Sequence, residues 1–168
     1  MLIREPRTAQ EACDVIAITH LAAAYAEAVS RGEIAEACLT YAEDGELHTP
    51  TTEPAIGRAA VIETITRNTA DLEFIFQTVH QGLVVVDGDT AHARFPITEW
   101  ARRRSDGRPI QFLGVYDDVC VRTADGWRFA RRTLLPRTMA RPEGLTGRAV
   151  ELPAPALPAR GGCSPRHR

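Results

Sequence analysis

FIFQTVHQGLVVVDGDTAHARFPITEWARR, residues 74–103, decides the architecture. β-Branched and aromatic side chains fill Phe74 to Val86, and Asp87-Gly88 directly before Asp89-Thr90 is the strongest short hairpin signal a sequence offers. Thr90 to Arg103 is then the returning strand. The same rhythm continues downstream, where Ser105-Asp106-Gly107-Arg108 turns into a strand from Pro109 to Arg122, and Ala124-Asp125-Gly126 turns into one from Trp127 to Pro136. Three successive hairpin connections predict an antiparallel sheet of four long strands.

Upstream of Asp71 the period is helical. Thr8-Ala9-Gln10-Glu11 has the form of a capping box, so a helix is predicted to start there. Ile18, Ala22, Tyr25 and Val29 repeat at i, i+4, i+7, i+11 as one apolar stripe, and Gly32 supplies a left-handed stop. A second short helix is predicted from Glu33 to Tyr41, a short strand at Glu46 to Pro50, a Pro- and Thr-rich loop, and a third helix from Gly57 to Asp71 through Val61, Ile62 and Ile65. The order gives an α+β fold with helices gathered on one face of a curved sheet. Beyond Arg137 the apolar period stops. Residues 1–137 are therefore expected to form the domain, and the Pro-, Arg- and Gly-rich residues 138–168 a disordered tail.

The chain of 168 residues, with 44% apolar and 25% charged residues, has room for one packed core that needs no disulfide or metal staple. All basic residues are Arg, which removes Schiff-base chemistry, a P-loop Lys and a Lys base together. A formal charge of −2 argues against a nucleic-acid partner. Cys13, Cys38, Cys120 and Cys163 have no metal spacing and read as reduced thiols. No apolar run approaches the ~20 residues of a membrane span and the N-terminus lacks the apolar segment of a signal, so a cytoplasmic protein without membrane contact is expected.

This order of elements, with AAAYAEAVSRGEIAEACLTYAEDGELHTP near the start and GVYDDVCVRTADGWRFARR at the end, resembles the SnoaL-like group of the nuclear transport factor two-like superfamily, over about residues 12–137. The group includes scytalone dehydratase, ketosteroid isomerase, limonene epoxide hydrolase and polyketide cyclases. The resemblance implies a cone, a strongly bent antiparallel sheet with three N-terminal helices packed on its concave face around a pocket that needs no metal or cofactor.

Residues carry over position by position. Tyr25, seven residues before Gly32, matches the oxyanion-hole Tyr of the isomerase, whereas its Asp base is replaced by Thr49 and its second donor by Val115. His80 matches the His that scytalone dehydratase pairs with an Asp at the end of the first helix, and that Asp is Ser30 here. Asp117 falls where the dehydratase has a pocket Asn. The resemblance thus implies His80, Tyr25 and Asp117 as catalytic residues, serving as base, oxyanion donor and orienting acid.

Strand parity puts Phe76 on the face of His80, and Leu113 and Val115 on that of Asp117, and these with Thr49 are the expected substrate contacts. Of Glu99 and Trp100, which face opposite ways, Trp100 is expected inward as a wall for a ring substrate. The function expected is an acid–base dehydratase, isomerase or cyclase acting on a hydrophobic ring-containing metabolite. The alternatives are an epoxide hydrolase or cyclase, using Asp117 and Arg94, and a non-catalytic ligand-binding or dimerisation module. Apolar residues at both parities of the strands leave a second face to cover, which predicts a homodimer.

Overall fold

A computed structural model of the protein describes residues 5–143 and residue 149. Helix α1 spans Ala9–Arg31. Thr8 caps it, its Oγ1 accepting the Glu11 N–H at 3.1 Å, while the Glu11 carboxylate reaches back to the N–H of Arg7. Gly32 ends it at φ 80°, a conformation open to glycine without strain. Helix α2 is short, Ile34–Cys38, and helix α3 spans Arg58–Thr69.

The strands are β1 (Tyr41–Thr49), β2 (Thr52–Ile56), β3 (Leu72–Val79), β4 (Leu83–Asp87), β5 (Thr90–Arg103), β6 (Pro109–Thr123) and β7 (Gly126–Ala140). They form one curved sheet in the order β2-β1-β7-β6-β5-β3, with β4 pairing β5 beside β3. The α+β cone expected from the sequence is present.

Four details differ from the sequence reading. The predicted strand from Phe74 to Val86 is two strands, because Gly82 sits so close to β5 that a Cβ there would lie 2.3 Å from the Arg94 carbonyl oxygen and 2.4 Å from the Phe95 ring. The Pro- and Thr-rich loop is the edge strand β2. The sheet is not wholly antiparallel, since β1 pairs β7 in parallel. Strand β7 continues three residues beyond Arg137, to Ala140; most of the expected tail lies outside the described residues.

The core lies between α1 and the concave face. Ile18, Ala22, Tyr25 and Val29 on α1 meet Ala91, Ala93, Phe95 and Ile97 on β5 and Tyr116 and Cys120 on β6. By length and composition alone α1 could cross a bilayer, against the sequence expectation, but its apolar stripe is packed into this core. Its first turn is tied down by Asp14, whose carboxylate takes two hydrogen bonds from Arg122 (2.9 and 2.7 Å) and one from Trp127 Nε1 (3.0 Å).

Candidate functional site

Strand parity assigns the faces. On β5, Ala91, Ala93, Phe95 and Ile97 point inward, and Glu99 shares their parity. On β6 the inward set is Phe112, Gly114, Tyr116, Asp118 and Cys120, and on β3 it includes Gln77. The concave side therefore carries a polar group of unusual density, Gln77, Glu99, Asp118 and Arg132 together with Tyr25, Tyr41 and Tyr116, the only three tyrosines of the chain.

At its centre is Arg132, fully buried and bidentate to Asp118 at 2.9 and 2.7 Å. Its guanidinium lies over the rings of Phe129 (3.7 Å to the centroid), Tyr116 (4.0 Å) and Tyr25 (4.6 Å). Such a pair is held by geometry: burial pushes the Asp118 carboxyl up, the guanidinium opposes it, and the three ring faces add cation–π attraction. Nη1 of Arg132 and the Tyr41 hydroxyl have no hydrogen-bond partner.

On β3, the Gln77 side-chain amide donates to the Glu99 carboxylate and, at 3.0 Å, to the Tyr116 hydroxyl. Its Oε1 is unpartnered. Burial pushes the Glu99 carboxyl above the ordinary glutamate value, with the Gln77 hydrogen bond opposing. Burial likewise pushes the Tyr25 phenol up to about 12, against the pull of Arg132, and the Tyr116 phenol well above its usual value. These phenols are neutral O–H groups at any physiological pH, and Glu99, unlike Asp118, has no arginine paired to it that opposes the upward push of burial.

The residues expected from the sequence do not converge. Tyr25 is inside, as expected. His80 is exposed on the convex side, its Nε2 2.8 Å from Thr98 Oγ1, because on β3 the inward parity belongs to Ile75, Gln77 and Val79. Asp117 is also on the convex side, 3.6 Å from Arg94, and its neighbour Asp118 is the acid that points in. The buried Asp/Arg pair is accordingly Asp118–Arg132 and not Asp117–Arg94.

Trp100 faces out, opposite Phe76 across the β3–β5 ladder, and Glu99 takes the inward place expected for Trp100. Leu113 and Val115 share the convex face, and Thr49 closes the β1–β2 turn against Thr52 at 2.7 Å. The signal for Glu99, Asp118 and Arg132 was present as parity, in step with Phe95 and Ile97 on β5, with Tyr116 and Cys120 on β6, and with Leu134 on β7. On β7 a register shift opposite Val119 and Cys120 hid it.

Residues 10–133 match the SnoaL-like domain. The chain belongs to the SnoaL-like family. No curated protein sequence matches it. Among solved structures, a candidate aromatic ring hydroxylase from Novosphingobium aromaticivorans is 25% identical, with a TM-score of 0.73 over 83% of this chain and 96% of its own. A candidate scytalone dehydratase from the same organism is 19% identical, with a TM-score of 0.72 over 83% and 97% of the two chains. A hexachlorocyclohexane dehydrochlorinase of LinA type from Novosphingobium barchaimii is 11% identical, with a TM-score of 0.75 over 83% and 97%. At such identities the last two share the fold. The SnoaL-like chain thus has the cone of the nuclear transport factor two-like superfamily, with Ser30 standing where the dehydratase resemblance leads one to expect an acid, and the base expected at His80 lying outside the cone. Ser30 Oγ accepts the Gln77 main-chain N–H at 2.9 Å.

Proposed function

We propose that this SnoaL-like chain is an acid–base enzyme acting on a hydrophobic, ring-containing small molecule, with Glu99 as the group that moves the proton. The observation that supports it is the carboxyl of Glu99, inward-facing, pushed up by burial and fixed by the Gln77 amide that also holds Tyr116. A carboxyl with a raised pKa holds and returns a proton more readily than an exposed one, and a positioned proton transfer is worth about 10²–10⁴ in rate.

In this reading Glu99 takes a proton from a carbon beside a carbonyl, the C–H electron pair becoming the enolate. The same carboxyl then returns the proton, either to another carbon of the conjugated system or to a departing hydroxyl, giving isomerisation or loss of water. The neutral phenols of Tyr25 and Tyr116 stabilise negative charge developing at the inner end of the network. Proton transfers alone complete such a cycle, so no cofactor is called for. Dehydratases and a dehydrochlorinase among proteins of the same fold support this class of reaction.

A second reading, a non-catalytic ligand-binding module, is favoured by Ser30 in the place where the dehydratase resemblance implies an acid, since a hydroxyl does not exchange protons near neutral pH. The experiment that separates the two is turnover of a panel of cyclic β-hydroxyketones and unsaturated ketones in D₂O, followed by NMR. Deuterium incorporation or water loss that falls about 10²–10⁴-fold in Glu99→Gln supports the enzyme. Activity unchanged in that variant removes Glu99 from the chemistry, and binding without any turnover favours the module.

A further inference from the structure

Between the last turns of α1 and α3 and the first half of β3 lies a cleft of about 550 Å³, whose wall also includes Ala149. Its size suits a ligand of one or two fused rings, since small-molecule sites span roughly 300–1,000 Å³. Ile34, Leu72 and Ile75 contribute apolar surface to a wall that is mostly polar, with Val29 buried behind them. Ser30 is in the same wall and links it to the site above, because its hydroxyl holds the main chain of Gln77, whose amide holds Glu99.

Three charged side chains line this cleft, and two of them are already engaged. Arg31 gives its Nε to Glu27 at 2.9 Å and its Nη2 to Glu36 at 2.7 Å. Glu73 accepts from Arg102 Nε at 2.7 Å. Arg104 differs. Its main-chain N–H donates to the Asp71 carbonyl at 2.6 Å and its Nη2 to the Leu72 carbonyl at 3.2 Å, so it is anchored to the start of β3; it feels the Glu73 carboxylate at longer range, but no carboxylate among the described residues lies within ion-pair distance of it. A guanidinium held by one N–H keeps the rest of its planar fork free, and that fork fits a carboxylate in two parallel hydrogen bonds.

We propose that the cleft takes a ring compound bearing a carboxylate, with Arg104 as the residue that selects the charged group and Ile34, Leu72 and Ile75 receiving the ring. The proposal rests on reading the cone as a small-molecule site and names the chemistry of its ligand. Arg104 is a specificity residue here and takes no part in proton transfer.

The test is equilibrium binding of 2-naphthoate and of its uncharged counterpart 2-naphthamide, by calorimetry at pH 7. The wild-type protein should prefer the acid by about tenfold, the low end for a hydrogen bond to a charged group. That preference should shrink as salt is raised from roughly 0.05 to 0.5 M, because an exposed ion contact is screened. Arg104→Gln should abolish the preference and leave naphthamide binding unchanged, which also shows that the variant is folded. Arg104→Lys, which keeps the charge but not the fork, should fall between. Equal binding of acid and amide by the wild type, or a preference that survives Arg104→Gln, overturns the selection by Arg104 and leaves the small-molecule reading standing. Binding of neither compound overturns the cleft as a site for ring carboxylates, whereas the proton-transfer reading stands or falls on the Glu99→Gln experiment in D₂O.

Discussion

Ser30 Oγ, on the last turn of α1, accepts the main-chain N–H of Gln77 on β3 at 2.9 Å and donates to the Ala26 carbonyl at 2.8 Å. The contact joins residues 47 positions apart and fixes which β3 side chain faces the helix. That side chain is Gln77, three positions before the histidine expected there. The inner network therefore carries the Gln77 amide on β3, the expected histidine lies outside it, and its nearest carboxyl is Glu99 on the next strand.

Ser30→Ala should test how firmly this contact sets the site. Removing the hydroxyl leaves a part-buried N–H without a partner, at a cost of about 1–3 kcal/mol. A lower melting temperature, with slower amide exchange protection lost along β3 first, is the expected result. A melting temperature within a degree of wild type would mean that the edge strand is held by its pairing with β5 alone.

The Asp118–Arg132 pair should behave as a buried pair does. Asp118→Asn strands a guanidinium in the core and is expected to cost about 3–5 kcal/mol in denaturant unfolding, whereas Asp118→Leu combined with Arg132→Met should recover most of the loss, since an apolar pair of similar volume carries no desolvation penalty. Losses that simply add in the double variant would show that the ion pair is not the source of the coupling.

The fold was legible in the sequence because it is written in local signals: Thr8 and Gly32 bracket α1, and Asp87-Gly88, Asp106-Gly107 and Asp125-Gly126 mark the three hairpins. The parallel pairing of β1 with β7 has no local signal, since it joins segments far apart in sequence. The site was harder to read. On β3 both parities carry large apolar residues, Ile75 and Val79 on one face and Phe74 and Phe76 on the other, so alternation does not say which face is buried. On β5 alternation does say so, through Ala91, Ala93, Phe95 and Ile97, and Glu99 follows from it. Size argued for Trp100 instead, and the Trp100 ring finds its neighbour on the convex side, across from Phe76.

Glu99 also carries a stability signature independent of any substrate. Burial raises its pKa in the folded protein above the ordinary glutamate value, so the native state retains a proton that the unfolded chain has lost, and stability falls as pH rises through that interval. Glu99→Gln should remove this dependence and raise the melting temperature at neutral pH, the usual trade of stability for a functional charge. A variant less stable than wild type at pH 7 would contradict the raised pKa.

At the acid end the sign reverses. Arg122 beside Asp14 holds its carboxyl at about 2, below the ordinary aspartate value, so the stability it contributes is complete above about pH 4 and is lost as the pH falls toward 2. Arg122→Gln should move the acid-unfolding midpoint upward and fray the start of α1. The Trp127 indole, which donates to Asp14 and lies 4.5 Å from the Arg122 guanidinium, reports the change by fluorescence. An unchanged acid midpoint would show that the remaining partners, Trp127 and Gln10, hold the carboxylate without the arginine.

The convex face supports one further expectation, a homodimer. Phe76 is 49% exposed, Leu113 and Leu135 are each 37% exposed, and Trp100 and Val115 lie between them on the same face of β3, β5, β6 and β7. A patch of this kind across a sheet is costly to leave in water and is covered in many proteins by a second copy related by a two-fold axis. Sedimentation at micromolar concentration should give about twice the 18.4 kDa of the chain. Leu113→Asp, placing a charge at the middle of the patch, should shift the mass to that of one chain with little change in the unfolding of the monomer, because Leu113 contributes almost nothing to the inner core. A wild-type mass of one chain at that concentration would sink the expectation, and the apolar convex face would then need a different partner.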